Sequence, residues 1–438
     1  MRIACLIGRY PGITHTFILR EVRALRQLGV DVRCFSIWRT AENELLSPLE
    51  HEEWGETDAL LPLRASRLAR AHLRALVHGP RAYAATFARA LRLSYPGARR
   101  RALAITWFAE AMMLWDACER LGIRHIYAQL QGTAPMVALL AVEFANASHD
   151  SAARWSWSHR LHGSKEFYDV YPERLAVRTA SANFVACISD YTRSQVMAFV
   201  PEELWHKLVV VRCGVDLEEF TPRAHQGEAD REGHGYRRIL TVGRVDAMKG
   251  TVLLLEALAE LRRRGLETEL TIVGDGPSKP KAMAIAHRLG VGEQVRWEGA
   301  VGQDRIRDFY AQCDVFCLPS FAEGVPIVLM EAMAMEVPVV ANAITGIVEL
   351  VEDGVSGRLL RPGRLDQLTD ALSCLLQDPQ LRGAMGRAGR NKIEAEYNLN
   401  DNVRELAGIF ADGPARASNG RCSPVAESVL PPKAASTR

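Results

Sequence analysis

Glu323 and Glu331, two carboxylates with seven residues between them, form the sharpest chemical signal in this sequence. Proline is favourable in the first turn of a helix, so Pro326 predicts that Glu323 precedes a helix and that Glu331 lies two turns inside it. Carboxylates can accept hydrogen bonds from vicinal hydroxyls of a sugar or ribose, while the backbone N–H groups near Gly324 and Val325 would face a phosphate at the positive helix end. An ordinary amphipathic helix with two solvated glutamates would have the same spacing.

Two cations in the same half of the chain suit a diphosphate. Arg244 and Lys249 follow directly after a predicted strand, in the sequence Leu-Thr-Val-Gly-Arg-Val-Asp-Ala-Met-Lys-Gly. The end of a strand is where a doubly wound domain places its ligand, and two positive charges separated by a short loop can bind two phosphate groups. The alternative is that both side chains are solvated surface charges.

The first half of the chain offers a glycine and a histidine. Gly12 follows the first predicted strand, where its backbone can approach a phosphate, and the neighbouring Thr14 or Thr16 can donate a hydrogen bond or cap a helix. His162 ends another predicted strand just before a glycine, from which its imidazole can reach a substrate hydroxyl. Helix capping alone accounts equally well for the threonines, and a structural or metal-binding role stays open for His162.

Alternating strands and helices must position these residues. In the first half, apolar runs predict strands at 3–7, 30–37, 125–128, 154–161, 183–188 and 208–212. After a polar, glycine-containing segment that begins at Arg223, strand and helix patterns alternate regularly from residue 239 to residue 341. The fold class is therefore α/β, with two Rossmann-like halves and with ligands expected in the cleft between them, at the carboxyl ends of both sheets.

These patterns divide the chain into four parts. Residues 1–222 are interpreted as an N-terminal Rossmann-like domain and residues 236–392 as a C-terminal one. A helix over 393–411 is expected to pack back on the N-terminal domain. Residues 412–438 are rich in Ala, Ser and Pro, and this composition predicts a disordered tail.

Composition and motif content exclude several classes of protein. The 438-residue chain carries 54 Lys and Arg against 52 Asp and Glu, a formal net charge of +2, so nucleic acid is not an expected partner. No apolar run is long enough to span a bilayer, and nine scattered cysteines in a chain of this size indicate a reducing cytoplasm. The sequence also lacks Asp-x-Asp and His-Glu-x-x-His, so no metal site is expected.

One segment departs from this even charge balance. From Ala59 to Ala109 there is no Asp or Glu, whereas ten arginines are interleaved with apolar residues at roughly helical spacing. These arginines are Arg64, Arg67, Arg70, Arg74, Arg81, Arg89, Arg92, Arg99, Arg100 and Arg101. An amphipathic cationic surface of this kind suits anionic lipid headgroups or a lipid-diphosphate acceptor. A solvated face on a long helical hairpin is the competing interpretation.

The motifs of the second half occur in a characteristic order. They are Val242-Gly-Arg with Lys249-Gly, Val273-Gly-Asp-Gly-Pro, Pro319-Ser, Glu323 to Glu331 followed by Ala-Met-Ala, Gly346-Ile-Val-Glu, and Asp353-Gly with Gly357. Their order and spacing resemble the family-4 retaining glycosyltransferases, whose GT-B architecture has two Rossmann-like domains facing each other across a cleft. In the first half, Tyr10-Pro, Thr16-Phe-Ile and Glu21 resemble the exopolysaccharide subgroup, including colanic-acid-type transferases, although His15 stands where that loop often has Glu.

The resemblance implies roles for the residues of the second half. Arg244 and Lys249 would bind the diphosphate of a nucleotide-sugar donor and stabilise the leaving nucleotide. Glu331 would hold the ribose hydroxyls and Glu323 the hydroxyls of the transferred sugar, so residues 236–392 would form the donor domain. Neither a metal nor a cofactor is implied, because fixed cations and a helix end neutralise the leaving group.

The first half would then supply the acceptor side. By the same resemblance, His162 would approach the donor sugar, and Gly12 would face the diphosphate across the cleft. The expected function is transfer of a hexosyl unit to a glycan or lipid-linked saccharide in exopolysaccharide biosynthesis, in the cytoplasm or on the inner face of its membrane. A GT-B sugar-nucleotide epimerase, which needs no acceptor, and a catalytically inactive sugar-nucleotide-binding protein are the alternatives.

Overall fold

The computed structural model describes most of the chain. The described residues are 1–12, 15–94, 97–130, 132–148, 154–163, 167, 172–222 and 237–414. The predicted linker that begins at residue 223 lies outside these ranges, and so does the predicted disordered tail apart from its first three residues.

A parallel sheet of seven strands organises the first half. Its elements are β1 (Arg2–Tyr10), α1 (Thr16–Gln27), β2 (Asp31–Arg39), α2 (Pro48–Glu56), β3 (Asp58–Leu61), α3 (Ala65–His78), α4 (Pro80–Leu93), α5 (Ala98–Leu121), β4 (His125–Gln129), α6 (Thr133–Ser148), β5 (Ser156–Leu161), α7 (Pro172–Ser181), β6 (Val185–Cys187), α8 (Asp190–Met197) and β7 (Leu208–Val210). The strand order β3-β2-β1-β4-β5-β6-β7 places β4 at the centre, and all pairings are parallel.

A second parallel sheet, of six strands, organises the second half. Its elements are β8 (Arg237–Val242), α9 (Thr251–Arg263), β9 (Thr268–Val273), α10 (Lys279–Arg288), β10 (Val295–Gly299), α11 (Gln303–Gln312), β11 (Val315–Leu318), α12 (Ile327–Ala334), β12 (Val339–Asn342), α13 (Ile347–Leu350), β13 (Gly357–Leu360), α14 (Leu365–Gln377) and α15 (Pro379–Glu396). The strand order is β10-β9-β8-β11-β12-β13, again with parallel pairing throughout. The α/β prediction is confirmed.

Helices cover both faces of each sheet, and the central strands are correspondingly apolar. Residues Ile3–Ile7 of β1 are all fully buried, and so are residues 315–318 of β11. Continuous apolar runs are typical of parallel strands with two covered faces, whereas a strand with one wet face would alternate. This pattern made the central strands predictable from the sequence.

The edge strand β3 and the start of α1 differ from the sequence-based predictions. The strand Asp58–Leu61 was missed because four residues beside an arginine-rich segment carry little periodicity. At α1, His15 occupies the N-cap position without a side-chain cap hydrogen bond, so Thr16 is the first helical residue rather than the cap. Thr14, the other predicted cap, lies outside the described residues.

The predicted single helix over 393–411 is two helices. α15 ends at Glu396, and a final helix α16 (Leu399–Asp412) follows after the side chain of Asn398 accepts a hydrogen bond from the backbone N–H of Asn400 at 3.0 Å. The break occurs because the chain crosses between the sheets here: Val215 donates to the carbonyl of Tyr397 at 2.9 Å, and Leu399 donates to that of Val215 at 3.1 Å.

Helix α16 belongs to the apolar core of the first sheet. Its residues Leu399, Val403, Leu406, Ile409 and Phe410 join one buried cluster with β1 and α1. The ring of Phe410 lies 5.0 Å from that of Tyr127 and 5.6 Å from that of Phe184, centroid to centroid. Within the described ranges, no helix is both long enough and apolar enough to cross a membrane.

We expect Phe410→Ala to lower the free energy of unfolding by about 3–5 kcal/mol, because it empties a site that three aromatic rings surround. Met283→Ala, on an exposed position of α10, is the matched control and should change stability by about 0.5 kcal/mol or less. Urea unfolding followed by circular dichroism measures both. Equal stability of the two variants would show that α16 is not part of the first core.

Candidate functional site

A cavity of about 480 Å³ lies where the carboxyl ends of the two sheets face each other. Seven of the eight site residues that the sequence predicted line it. They are His162, Arg244, Lys249, Glu323, Gly324, Val325 and Glu331. The strands explain this convergence, because His162 directly follows β5, Arg244 follows β8 and Glu323 follows β11. The carboxyl edge of an open parallel sheet is the usual place for a ligand.

Two glycines join the halves of the cavity through their backbones. Gly163 and Gly324 form an isolated antiparallel bridge, and each is the direct neighbour of a candidate site residue, His162 or Glu323. A Cβ atom on Gly324 would lie 2.1 Å from the carbonyl oxygen of His162, and one on Gly163 would lie 3.0 Å from the Cα atom of Gly324. Only glycine at residue 324 permits this approach, which holds His162 and Glu323 on opposite walls of one cavity.

Buried polar contacts hold the loop that carries Glu323. The side-chain amide of Asn342, at the end of β12, donates to the carbonyls of Pro319 and Ser320, each at 2.9 Å. The hydroxyl of Thr345 donates to the carbonyl of Glu323 at 2.9 Å. These loop carbonyls have no partner in a sheet, so the side chains supply the hydrogen bonds that buried backbone groups need. The contacts hold the loop against the cavity.

Lys249 and Glu323 form an ion pair inside the cavity. The distance from Lys249 Nζ to Glu323 Oε1 is 2.5 Å, and the two side chains are 26% and 11% exposed. Asp246 shapes the loop that carries the lysine, because its carboxylate accepts a hydrogen bond from the backbone N–H of Met248 at 2.9 Å. Arg244 lies closer to solvent, with Nε 3.1 Å from Asp246 Oδ2 and a side chain that is 56% exposed.

Glu331 is more enclosed than the sequence suggested. Pro326 is the N-cap rather than a first-turn residue, so α12 begins at Ile327 and Glu331 lies about one turn inside it instead of two. One carboxylate oxygen accepts from Arg20 Nη1 at 2.7 Å, and the other accepts from the hydroxyl of Tyr310 at 2.8 Å. Both partners are buried, so the carboxylate is oriented rather than solvated.

Arg20 belongs to α1, so its ion pair with Glu331 joins the two halves of the molecule. Its guanidinium also lies 3.7 Å from Glu219 and 4.9 Å from the centre of the Phe220 ring. Burial lowers the pKa of Arg20, but the adjacent carboxylates outweigh burial and the net shift is upward, which keeps the guanidinium charged. Arg20 was not predictable from the sequence, because no spacing rule links a residue of the first helix to Glu331.

His162 is held on the opposite wall. Its Nε2 lies 2.6 Å from Gln129 Oε1, its Nδ1 lies 3.9 Å from Cys213 Sγ, and its ring centroid lies 4.6 Å from that of Phe17. Burial, reinforced by the nearby charge of Arg160, lowers the pKa of His162 well below its usual value, so the imidazole is neutral.

Gly12 is the predicted site residue that the structure does not bring to the cavity. Its carbonyl accepts a hydrogen bond from the backbone N–H of His15 at 2.7 Å, in the turn before α1, and Thr16 and Phe17 line the cavity in its place. Any approach of Gly12 to a phosphate stays a prediction.

A third contact between the halves involves Glu349 of α13. Its two carboxylate oxygens accept hydrogen bonds from the backbone N–H groups of Asp190 and Tyr191, at 2.9 and 2.7 Å. These groups belong to the first turn of α8, where a carboxylate is favoured by the helix dipole. With the Gly163–Gly324 bridge and the pair between Arg20 and Glu331, this contact spans the cleft.

The arrangement suits an anionic ligand that carries hydroxyl groups. Lys249 and Arg244 supply positive charge, Glu323 and Glu331 supply hydroxyl acceptors, and apolar side chains including Val273 line the remaining wall. The described residues contain no group of three or more His, Cys, Asp or Glu side chains that could hold a metal ion. That observation does not exclude a metal from the reaction, so metal independence stays a prediction.

Sequence comparison finds relatives among glycosyl transferases. The family described as glycosyl transferases group 1 matches residues 225–392. A GDP-mannose-dependent alpha-(1-6)-phosphatidylinositol monomannoside mannosyltransferase of Mycobacterium tuberculosis (strain CDC 1551 / Oshkosh) is 31% identical over 293 residues, 63% of this chain and 73% of the relative. An amylovoran biosynthesis glycosyltransferase of Erwinia amylovora is 32% identical over 210 residues, 47% of this chain and 50% of the relative. The alignments with several of its curated relatives cover between 46% and 63% of the length of those relatives.

Solved structures resemble the whole described architecture. An Anabaena protein, HepE, crystallised in complex with UDP, superposes with a TM-score of 0.68 at 18% identity, over 94% of this chain and all of that one. Such a likeness at low identity shows the fold, with two facing Rossmann-like domains.

We expect the loss of stability caused by substitutions at the glycine bridge to be larger where there is less space for a new Cβ atom. Gly324→Ala should lower the free energy of unfolding by about 1–3 kcal/mol, because the new atom overlaps the carbonyl of His162. Gly163→Ala should lower the free energy of unfolding by less. Gly55→Ala should not lower it, because nothing lies within 4 Å of the new Cβ atom. Urea unfolding ranks the three variants. A ranking in which Gly324→Ala is neutral would contradict the bridge.

Proposed function

Because the chain belongs to the group 1 glycosyl transferases, we propose that its cavity transfers a hexosyl unit from a nucleotide-diphosphate sugar to a glycan or lipid-linked saccharide acceptor, with retention at the anomeric carbon. The chain has the GT-B fold, and its relatives include an enzyme of exopolysaccharide biosynthesis. The observation that carries the proposal is the meeting of Lys249, Glu323 and His162 in one cavity although they come from both sheets.

Arg244 and Lys249 neutralise the donor diphosphate in this proposal. When the bond between the sugar and the diphosphate breaks, negative charge grows on the leaving nucleotide. Positive charges fixed in advance stabilise that charge without reorganisation, and they do so without a metal. The ion pair with Glu323 holds the Lys249 ammonium at the cavity wall before the donor arrives.

The two glutamates divide the rest of the donor between them. Glu323 faces the His162 wall from across the cavity, where it accepts hydrogen bonds from hydroxyls of the transferred sugar. Glu331 accepts from the ribose hydroxyls, and it can do so while bound to Arg20 and Tyr310 because each carboxylate oxygen has two lone pairs. Arg20 and Tyr310 therefore orient the nucleotide-binding carboxylate rather than block it.

In this proposal the first domain binds the acceptor. Its arginine-rich segment 59–109 lies on an anionic membrane surface. Arg67, Arg70, Arg74 and Arg89 form ion pairs with carboxylates outside the segment, on Asp58, Asp116 and Glu143. The arginines at 64, 81, 92 and 99–101 are exposed. We therefore take these exposed arginines, rather than all ten, as the candidates for binding lipid headgroups.

The start of α5 is the strongest part of this surface. Arg99, Arg100 and Arg101 occupy the first turn of the helix, where no acidic residue accompanies them. Cations at the positive end of a helix dipole are unfavourable, and a neighbouring anionic surface would relieve that cost. Leu103 and Ile105, 44% and 48% exposed, add apolar side chains beside the three arginines.

We expect Lys249→Ala to lower turnover by about 10²–10³-fold, the loss typical when one donor to a developing anion is removed. The matched control is Lys281→Ala on the exposed side of α10, which should retain full turnover. The measurement is release of free nucleotide from a panel of nucleotide sugars, with and without a saccharide acceptor mixture. Full activity of Lys249→Ala would end the diphosphate assignment, and release that no acceptor accelerates would argue against a transferase.

We expect the protein to sediment with anionic but not neutral liposomes, and substitution of Arg99, Arg100 and Arg101 by Glu to abolish this. Salt should reverse binding, because the Debye length is only ~8 Å at physiological ionic strength. Substitution of Arg262, Arg263 and Arg264, at the end of α9, by Glu makes the same change in net charge and serves as the control. If both triple variants lose binding equally, net charge rather than the α5 surface is responsible. If the unmodified protein stays in the supernatant at low salt, the membrane proposal is wrong.

A further inference from the structure

A continuous chain of buried polar groups extends from His162 into the first domain. The Nε2 of His162 lies 2.6 Å from Gln129 Oε1, and the Nε2 of Gln129 donates a hydrogen bond to Glu21 Oε1 at 2.7 Å. The other carboxylate oxygen of Glu21 lies 2.8 Å from Arg160 Nη1. Gln129, Glu21 and Arg160 are at most 6% exposed, so water does not compete for these contacts. The residues come from α1, β4 and β5.

The direction of every hydrogen bond in this chain follows from the charge of Glu21. An ionised carboxylate can only accept hydrogen bonds, so the group of Gln129 that faces it must be the NH₂. The carbonyl of Gln129 then faces His162, and a carbonyl can only accept. The group of His162 that faces Gln129 must therefore be Nε2–H.

Arg160 is the charged partner of Glu21. The two form a buried ion pair, and the Nη2 of Arg160 also donates to the backbone carbonyl of Val211 at 3.2 Å. An arginine side chain does not lose its proton in proteins, so the carboxylate beside it supplies the compensating charge. A reversed Gln129 amide would oppose two acceptor oxygens in a buried site, which is costly.

We propose that Gln129, oriented by Glu21 and Arg160, is a positioning residue that holds the neutral imidazole of His162 in the Nε2–H tautomer. The remaining ring nitrogen, Nδ1, carries the lone pair, and it lies toward Cys213, which also lines the cavity. At Nδ1, a hydroxyl of the donor sugar would therefore meet a hydrogen-bond acceptor rather than a proton donor.

The part of this inference that concerns the sugar hydroxyl rests on the proposed function, whereas the tautomer does not. A histidine whose tautomer is fixed by a second group is pre-organised for one kind of contact. Loss of the group that orients a metal-ligating histidine typically costs about 10–100-fold in affinity or activity, and we expect a loss of similar size here. The two parts can therefore fail separately.

The first test reads the tautomer in the unmodified, ligand-free protein. Long-range ¹H–¹⁵N correlation spectra of protein labelled with ¹⁵N-histidine report which ring nitrogen carries the proton, and His162→Gln assigns the resonance. We expect a protonated Nε2 and an unprotonated Nδ1. An Nδ1–H tautomer or an imidazolium at neutral pH would overturn the proposal.

The second test removes the partner and keeps the ion pair. Gln129→Met preserves side-chain volume and leaves Glu21 with Arg160, and we expect the His162 nitrogen shifts to move toward a mixture of both tautomers. His125, whose ring nitrogens face Ser156 and Ser158, is the internal reference and should not move. Asn146→Leu removes another partly buried amide, away from His162, and should leave the His162 spectrum unchanged. A His162 spectrum that Gln129→Met leaves unchanged would overturn the proposal.

The third test connects the tautomer to turnover. With whichever nucleotide sugar the panel identifies, Gln129→Met should lower kcat by about 10–100-fold while affinity for the free nucleotide diphosphate stays within two-fold, roughly the error of such a measurement. A merely structural defect would instead lower both, along with the unfolding midpoint. Normal kcat with a mixed tautomer would overturn the functional part. No turnover by the unmodified protein, with the expected tautomer present, would overturn the proposed function instead.

Discussion

The close approach of two backbones at Gly163 and Gly324 is the constraint on which the rest of the site depends. A side chain at residue 324 would overlap the carbonyl of His162, so the approach exists only because glycine stands there. With the bridge in place, His162 and Glu323 become neighbours across the cleft although one follows β5 and the other follows β11. Each sheet alone presents half of a cavity, and the cavity of about 480 Å³ belongs to both.

Charge pairing across the cleft complements the bridge. Arg20 and Glu331 lie on different halves, each about 5% exposed, and loss of either would leave the other as a buried charge with weaker compensation. Glu349 also crosses the cleft, and its carboxylate accepts hydrogen bonds from backbone N–H groups in the first turn of α8. Such contacts have strict geometry, and they orient the residues that face the cavity as well as the two domains.

The arginine-rich segment shows how tertiary structure changes the meaning of a charge pattern. Along the chain it is an acid-free run, which suggests ten equivalent cations. In the fold, Asp116 of α5 reaches Arg70 and Arg74 of α3, and Glu143 of α6 reaches Arg89 of α4. Sequence separation conceals these partners, so the run of arginines overstated the positive charge of this surface.

The sequence alone determined the α/β class, the parallel central strands and seven of the eight residues predicted for the cavity, because these depend on short-range patterns: apolar runs, strand ends, and carboxylates at fixed spacing. Those patterns could not show that Arg20 and Tyr310 bind Glu331, or that Gln129 and Glu21 lie behind His162, since these partners are joined only when separate elements pack together. The break at Asn398 was missed for the same reason, whereas the strand Asp58–Leu61 was missed because its four residues carry little periodicity. Tertiary structure alone decided which hydrogen-bonding groups are buried together, and burial is what turns a carboxylate or an imidazole from a solvated group into an oriented one.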